Sequence, residues 1–249
     1  MSDGWKRVFG EHLSMSARMI LPLLFGIAGV ATLLWLGFWQ LDRLAWKEDR
    51  LAQIEARKSA AAAPLEPYFH ESGPLEEDNY RRVTFEGVLT DKQAHVLTSL
   101  KFTGAGFRIL QEVIWNDKAF MLDLGFVPEA EKDAPRPTGP VRVVGNILNP
   151  DDYDESFTPD PDLDKNIWFA RYLPMLAEKL DVLPFMIVVE AAEYRKDGAW
   201  VPYDAVTPLP VSVNIPNDHR EYAITWFSLA VVWFGMTAYL LWRIRQKTV

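Results

Sequence analysis

Two apolar runs stand near the ends of the chain, Met19 to Leu41 and Tyr222 to Trp242, and the hydrophobic pattern between them changes character twice. The second run has 21 residues without a charge. At about 1.5 Å per residue it reaches roughly 31 Å, enough for a hydrocarbon layer of ~30 Å. The first is too long for a signal-peptide core and has no small-residue cleavage site, since Leu-Gly-Phe-Trp-Gln fills that place. Both predict membrane-spanning helices. Beyond Leu41, the residues Leu44, Leu51 and Ile54 recur at helical spacing among charges. The first helix is therefore expected to run on out of the lipid through 42–63, where Pro64 and Pro67 stop it.

The period then becomes two. Strands are predicted over 81–89, 93–99, 106–115, 118–127, 141–148 and 185–192, and again around Trp200, all rich in β-branched and aromatic residues. Thr90-Asp91 and the stretch Thr103 to Gly106 are read as breaks, with Gly104 to Gly106 in a hairpin loop. Asn116-Asp117 suits a tight hairpin turn, and 134–140 is a proline-rich turn. Residues 167–180 read as a helix disturbed by Pro174, after an acidic loop over 151–164. The pattern describes a membrane protein with two transmembrane α-helices flanking a β-rich α+β extracytoplasmic domain of antiparallel strands. Its divisions are a tail (1–18), a span (19–41), a helical extension (42–63), the domain (64–221), a span (222–242) and a tail (243–249).

Charge refines that layout. The net charge is −8, and setting aside the six basic and two acidic residues of the tails leaves −12 for the remainder. An acidic domain argues against nucleic acid as a partner. The tails carry six Lys/Arg against Arg43, Lys47, Arg50 and Arg220 on the inner flanks, which favours both termini in the cytoplasm and the domain across the membrane. The N-terminus lacks transit-peptide character, so a bacterial inner membrane with a periplasmic domain is expected. Cysteine is absent, which removes disulfides and the thiolate pairs of copper carriers and thiol oxidoreductases.

Motifs of catalysis are missing. The chain has no nucleophile elbow, zincin helix, Walker loop or dinucleotide fingerprint, and nothing points to an enzyme. The acidic loop lacks the glycine and closing glutamate of an EF-hand and reads as solvated surface. His12, His70 and His95 have ordinary settings. His219 differs, because Asp218 and Glu221 form an Asp-x-x-Glu capping pattern behind Pro216. The histidine falls in the first helical turn at the lipid boundary, where the helix dipole disfavours imidazolium. Neutral imidazole ligates metals and haem iron. The same position also suits an interfacial polar residue beside Tyr222 and Trp226. On the first helix Trp35, Trp39, Arg43, Trp46 and Arg50 share one face. Such a face can flank a porphyrin and pair its propionates, and it is also how a helix leaves a bilayer.

The stretches FWQLDRLAWKEDRL (38–51), NYRRVTFEGVL (79–89), LGFVP (124–128) and NDHREYAITWFSLA (217–230) resemble, in order, signatures of the Surfeit locus protein 1 family. The Gln40/Arg43 pair and the run from His219 through Tyr222, Ala223, Thr225 and Trp226 are the most specific parts. The resemblance implies an assembly factor for haem–copper terminal oxidases that binds haem a and assists its placement in the catalytic subunit. It implies His219 as the axial iron ligand, with Trp39, Arg43 and Trp226 shaping the cofactor site. The partners implied are that subunit, other assembly factors and membrane lipid. The chain departs from the family where Asp123-Leu124-Gly125-Phe126 replaces Asn-Arg-Gly-Trp, and in Asp218 and Arg220 around the histidine. A scaffold or accessory subunit without cofactor is the alternative reading. A sensor is disfavoured by tails of only 1–18 and 243–249.

Overall fold

The computed structural model describes the backbone of residues 4–211 and 217–246, with side chains described from Met19 onward. His12 and Pro216 therefore lie outside what is described in side-chain detail. The chain divides into two compact units, one built from the two terminal helical segments and one from residues 53–213.

In the first unit, α1 runs unbroken over Gly4–Ser59 and α3 over His219–Gln246, and each contains a stretch long and apolar enough to cross a membrane. The helices meet along a face of small residues. A Cβ at Gly26 would collide with Thr237, one at Gly29 with Trp233, and one at Gly37 would stand 2.6 Å from the Phe227 ring. Lipid tails are as apolar as leucine, so membrane helices associate by such close approach rather than by hydrophobicity. On α3 the buried residues Ala223 and Ala230 mark the matching face.

The second unit is a closed barrel. Its strands are β1 (Ala63–Pro64), β2 (Arg82–Leu100), β3 (Gly104–Trp115), β4 (Lys118–Pro128), β5 (Gly139–Ile147), β6 (Ile167–Trp168), β7 (Met186–Lys196) and β8 (Ala199–Pro202). Pairing runs β2–β3–β4–β7–β5 and returns to β2, with β1 and β6 added to β2 and β8 to β7. The pairs are antiparallel except β1–β2, β2–β6 and β4–β7. The barrel interior is filled by residues such as Val83, Phe85, Ile109, Phe120, Leu122, Val143 and Ile187. Outside it, α2 (Leu173–Leu180) seats Leu173 and Leu176 on Ala94, Val96, Leu110, Met121 and Met186. Strands covered on both faces lose their simple alternation.

Several local expectations hold and others need correction. Asn116 and Asp117 both take left-handed φ, 49° and 60°, as a two-residue hairpin turn requires. The two strands expected over 81–89 and 93–99 are one. Thr90-Asp91 is a bulge within β2, where the register shifts between Leu89 and Gln93. The bulge lets one strand pair with β5 along 82–89 and with β3 from Val88 onward. Gly104 to Gly106 already belong to the β2–β3 ladder, and the loop is 101–103. The helix expected over 167–180 begins only at Leu173, because Pro174 lies in its first turn, where a missing N–H costs nothing. The first helix closes at Ser59, short of 63.

Candidate functional site

His219 opens α3. The Asp218 carbonyl accepts the first helical hydrogen bond from Tyr222 N at 3.1 Å, so Asp218 stands at the cap position the sequence suggests. Among the described residues, no side-chain hydrogen bond joins Asp218 or Glu221 to the first-turn amides. The capping therefore rests on the backbone. The imidazole is half-buried, and its Nδ1 lies 2.6 Å from Oε1 of Gln40 on α1. Gln40 is itself buried.

An amide oxygen can only accept, so Nδ1 carries the proton and donates it. In a neutral ring this leaves Nε2 with a free lone pair. Metal-ligating histidines are held in this way, with the second ring nitrogen donating to a carbonyl or carboxylate. The residues present therefore fit an iron-ligating imidazole.

Trp39, Arg43 and Trp46 form a second group. The Arg43 guanidinium lies 5.7 Å from the ring centroids of both Trp39 and Trp46, all on the exposed face of α1. At 3.6 residues per turn, Arg43 is turned about 60° from Gln40 and Trp39 about 100° to the same side. The tryptophan–arginine face is thus next to the His219–Gln40 contact and not on it. Arg43 makes no ion pair among the described residues, which leaves its donors available to an anion such as a propionate. Trp226, two turns beyond His219 on α3, has a buried Nε1 without a hydrogen-bond partner. The structure joins His219 to Gln40 and Arg43 to its two tryptophans, and it sets Trp226 on the helix face that His219 begins. Gln40 belongs to the signature pair singled out from the sequence, where it was given no part at the site. The available signal was an amide on the same helical face as Gly26 and Gly37.

The other candidates resolve into structure. His70 faces Asp78 at 3.7 Å. In the acidic loop, Asp152 pairs with Arg171 at 2.9 Å, while Asp154 and Asp162 accept from the amides of Ser156 and Lys165. Among the described residues, no group of three His, Cys, Asp or Glu side chains is placed to hold a metal ion. Asp123 is fully buried, and its Oδ2 takes Arg108 Nε at 2.8 Å and Arg171 Nη1 at 3.0 Å. Leu124, which stands where the resemblance leads one to expect arginine, is in the barrel core. His95 is buried beside a cleft of about 580 Å³ that Lys92, Asp133 and Arg136 also line. Burial, with Arg136 and Lys132 close by, lowers its pKa from 6.5 to about 4.

Comparison with known proteins agrees with this architecture. The model of the SURF1 family matches residues 27–231, from the middle of the first span to the second. A SURF1-like protein of Monosiga brevicollis is 28% identical over 225 residues, covering 82% of each chain. Surfeit locus protein 1 of Rattus norvegicus is 25% identical over 237 residues, 86% of this chain and 72% of the rat protein. A SURF1-like protein of Rickettsia bellii is 26% identical over 232 residues, 86% of each chain. With both membrane helices, the barrel and the His219–Gln40 contact inside or at the edge of the matched region, the chain belongs to the SURF1 family.

Proposed function

We propose that this protein is an assembly factor for a haem–copper terminal oxidase, which holds haem a through His219 and assists its insertion into the catalytic subunit. It acts as a carrier or chaperone and catalyses no reaction of its own. Its partners are that subunit, further assembly factors and the lipid around its spans. It sits in a bacterial inner membrane with both termini in the cytoplasm and the barrel in the periplasm.

One observation supports the reading above the others. His219 Nδ1 lies 2.6 Å from the Gln40 side-chain oxygen and donates to it, which in a neutral ring leaves the lone pair of Nε2 open. Arg43, without an ion pair among the described residues, suits a propionate, and Trp39 and Trp226 supply apolar faces. Bound haem would supply the iron for that nitrogen and a Soret band by which occupancy is read. The same hydrogen bond would equally clip two helices together, and for that reason the scaffold reading stays in view.

The test is to purify the full chain in detergent from cells that make haem a and to record its visible spectrum. Wild type should carry haem. His219→Ala should lose most of it yet remain in the membrane, since one boundary residue matters little to a long apolar span. Arg43→Ala should lose less, because the iron ligand stays. Equal haem and an unchanged spectrum in His219→Ala would put the ligand elsewhere and leave the scaffold reading as the better one.

A further inference from the structure

A buried primary amide at the end of a helix's apolar stretch needs a reason. Burial takes it out of solvent, and a buried amide left unpaired is costly. Gln40 is 9% exposed, on the face of α1 where Gly37 lets Phe227 come close. Its carbonyl is directed at one atom, Nδ1 of His219. Membrane helices do use such bonds as glue, each of modest strength. Glue alone would leave the tautomer of the partner without consequence. Here it has one, since the proton on Nδ1 decides that Nε2 is the open nitrogen.

We propose that Gln40 is a positioning residue for His219: its side-chain oxygen holds the imidazole in the tautomer and orientation that present Nε2 as a ligand. This rests on the reading of His219 as a haem ligand, but the tautomer can be measured with no haem present. An accepted bond at Nδ1–H also raises the donor strength of the opposite nitrogen. Gln40 would therefore tune the bound iron as well as orient its ligand.

The full chain, labelled with ¹⁵N-histidine and purified without haem in detergent micelles, reports the tautomer through its ring-nitrogen shifts. The His219 signals are identified by their loss in His219→Ala. Wild type should show Nδ1 protonated and Nε2 bare. Gln40→Leu, which keeps the volume and removes the acceptor, should move a measurable population to the Nε2–H form. In a haem titration Gln40→Leu should bind about 10–100-fold more weakly, the usual cost of losing such a partner. Gln40→Glu, which retains an acceptor, should restore Nδ1–H and recover most of the affinity, with a lower midpoint potential than wild type.

A wild-type His219 protonated at Nε2 overturns the inference, and that reading does not depend on any Gln40 variant folding. An unchanged tautomer in Gln40→Leu overturns it as well, whatever haem does. If the tautomer follows Gln40 and the wild type takes up no haem, the positioning role stands and the haem reading falls. The two failures are thereby told apart.

Discussion

Asp123 is the side chain of the barrel whose loss should be felt most. It is fully buried, and a single oxygen, Oδ2, receives Arg108 through Nε and Nη2, each at 2.8 Å, and Arg171 through Nη1 at 3.0 Å. Asp123→Ala leaves two guanidiniums, each 17% exposed, without that carboxylate. Removing one partner of a buried pair costs about 3–5 kcal/mol, mostly as the desolvation of the stranded charge. The two arginines are not equally stranded. Arg171 keeps Asp152 at 2.9 Å, while among the described residues Arg108 keeps only the Leu209 carbonyl at 3.3 Å. The loss should therefore fall near ~3 kcal/mol, or about 6–12 °C in Tm for a domain of this size. Asp123→Asn, which keeps an acceptor and the shape, should lie between wild type and alanine. Replacing the group together, as Asp123→Leu with Arg108→Met and Arg171→Met, should regain much of the loss, because an apolar cluster carries no desolvation cost. Thermal unfolding of the full chain in detergent, followed by tryptophan fluorescence, reads all three; Trp168 is buried on the outer face of this barrel. A Tm drop under ~2 °C in Asp123→Ala would refute the reasoning. It would mean that Asp152, Leu209 and solvent already satisfy both arginines.

Gly125 has φ +128°, and a Cβ there would strike the Thr207 carbonyl and stand 2.8 Å from Pro208 Cα. Gly125→Ala should cost at least ~2 kcal/mol and speed amide exchange at Phe126 and Thr207, whose backbones bond each other at 2.8 and 2.9 Å. Gly139→Ala, at φ +97° with nothing within 4 Å, should cost less; equal costs would remove the role given to Thr207. His95, near 4 when folded against 6.5 when unfolded, binds its proton more readily in the unfolded chain. Barrel stability should be fully present above pH 6.5 and fall as pH drops toward 4, with a slope of up to ~1.4 kcal/mol per pH unit from this one proton. In His95→Gln that part of the slope should vanish, and an unaltered slope would assign it to other groups. A cytoplasm-dependent reporter fused after Val249 should be active; a silent one, with a periplasmic reporter active at the same point, would reverse the proposed topology.

The two spans were legible because length and the absence of charge are properties of a continuous segment, with no partner needed. Asn116-Asp117 was legible for a similar reason, since two residues tolerant of left-handed φ sit between two apolar runs. What escaped was whatever depends on a neighbour far along the chain. Thr90-Asp91 looks like a turn until Thr90 is seen donating to Glu112 at 2.6 Å across β2 and β3, which holds the bulge inside the sheet. Barrel closure depends on β4 meeting β7 in parallel, a pairing no local period encodes.

The membrane site divides along the same line. His219 drew notice by itself, as a histidine at the mouth of an apolar helix. Gln40 is 179 residues away and is ordinary by every local measure, a polar residue near the end of a span. Its meaning comes from the helical face it shares with Gly26 and Gly37, because glycines mark where a second helix comes close enough for side-chain tips to bond. A polar residue on that face can reach the partner helix, whereas Trp39 and Arg43, turned away from it, are exposed and lie against each other. The distinction gives neighbours in sequence different parts in the proposed site: Gln40 would govern how the imidazole is held, and Arg43 what else could be held beside it.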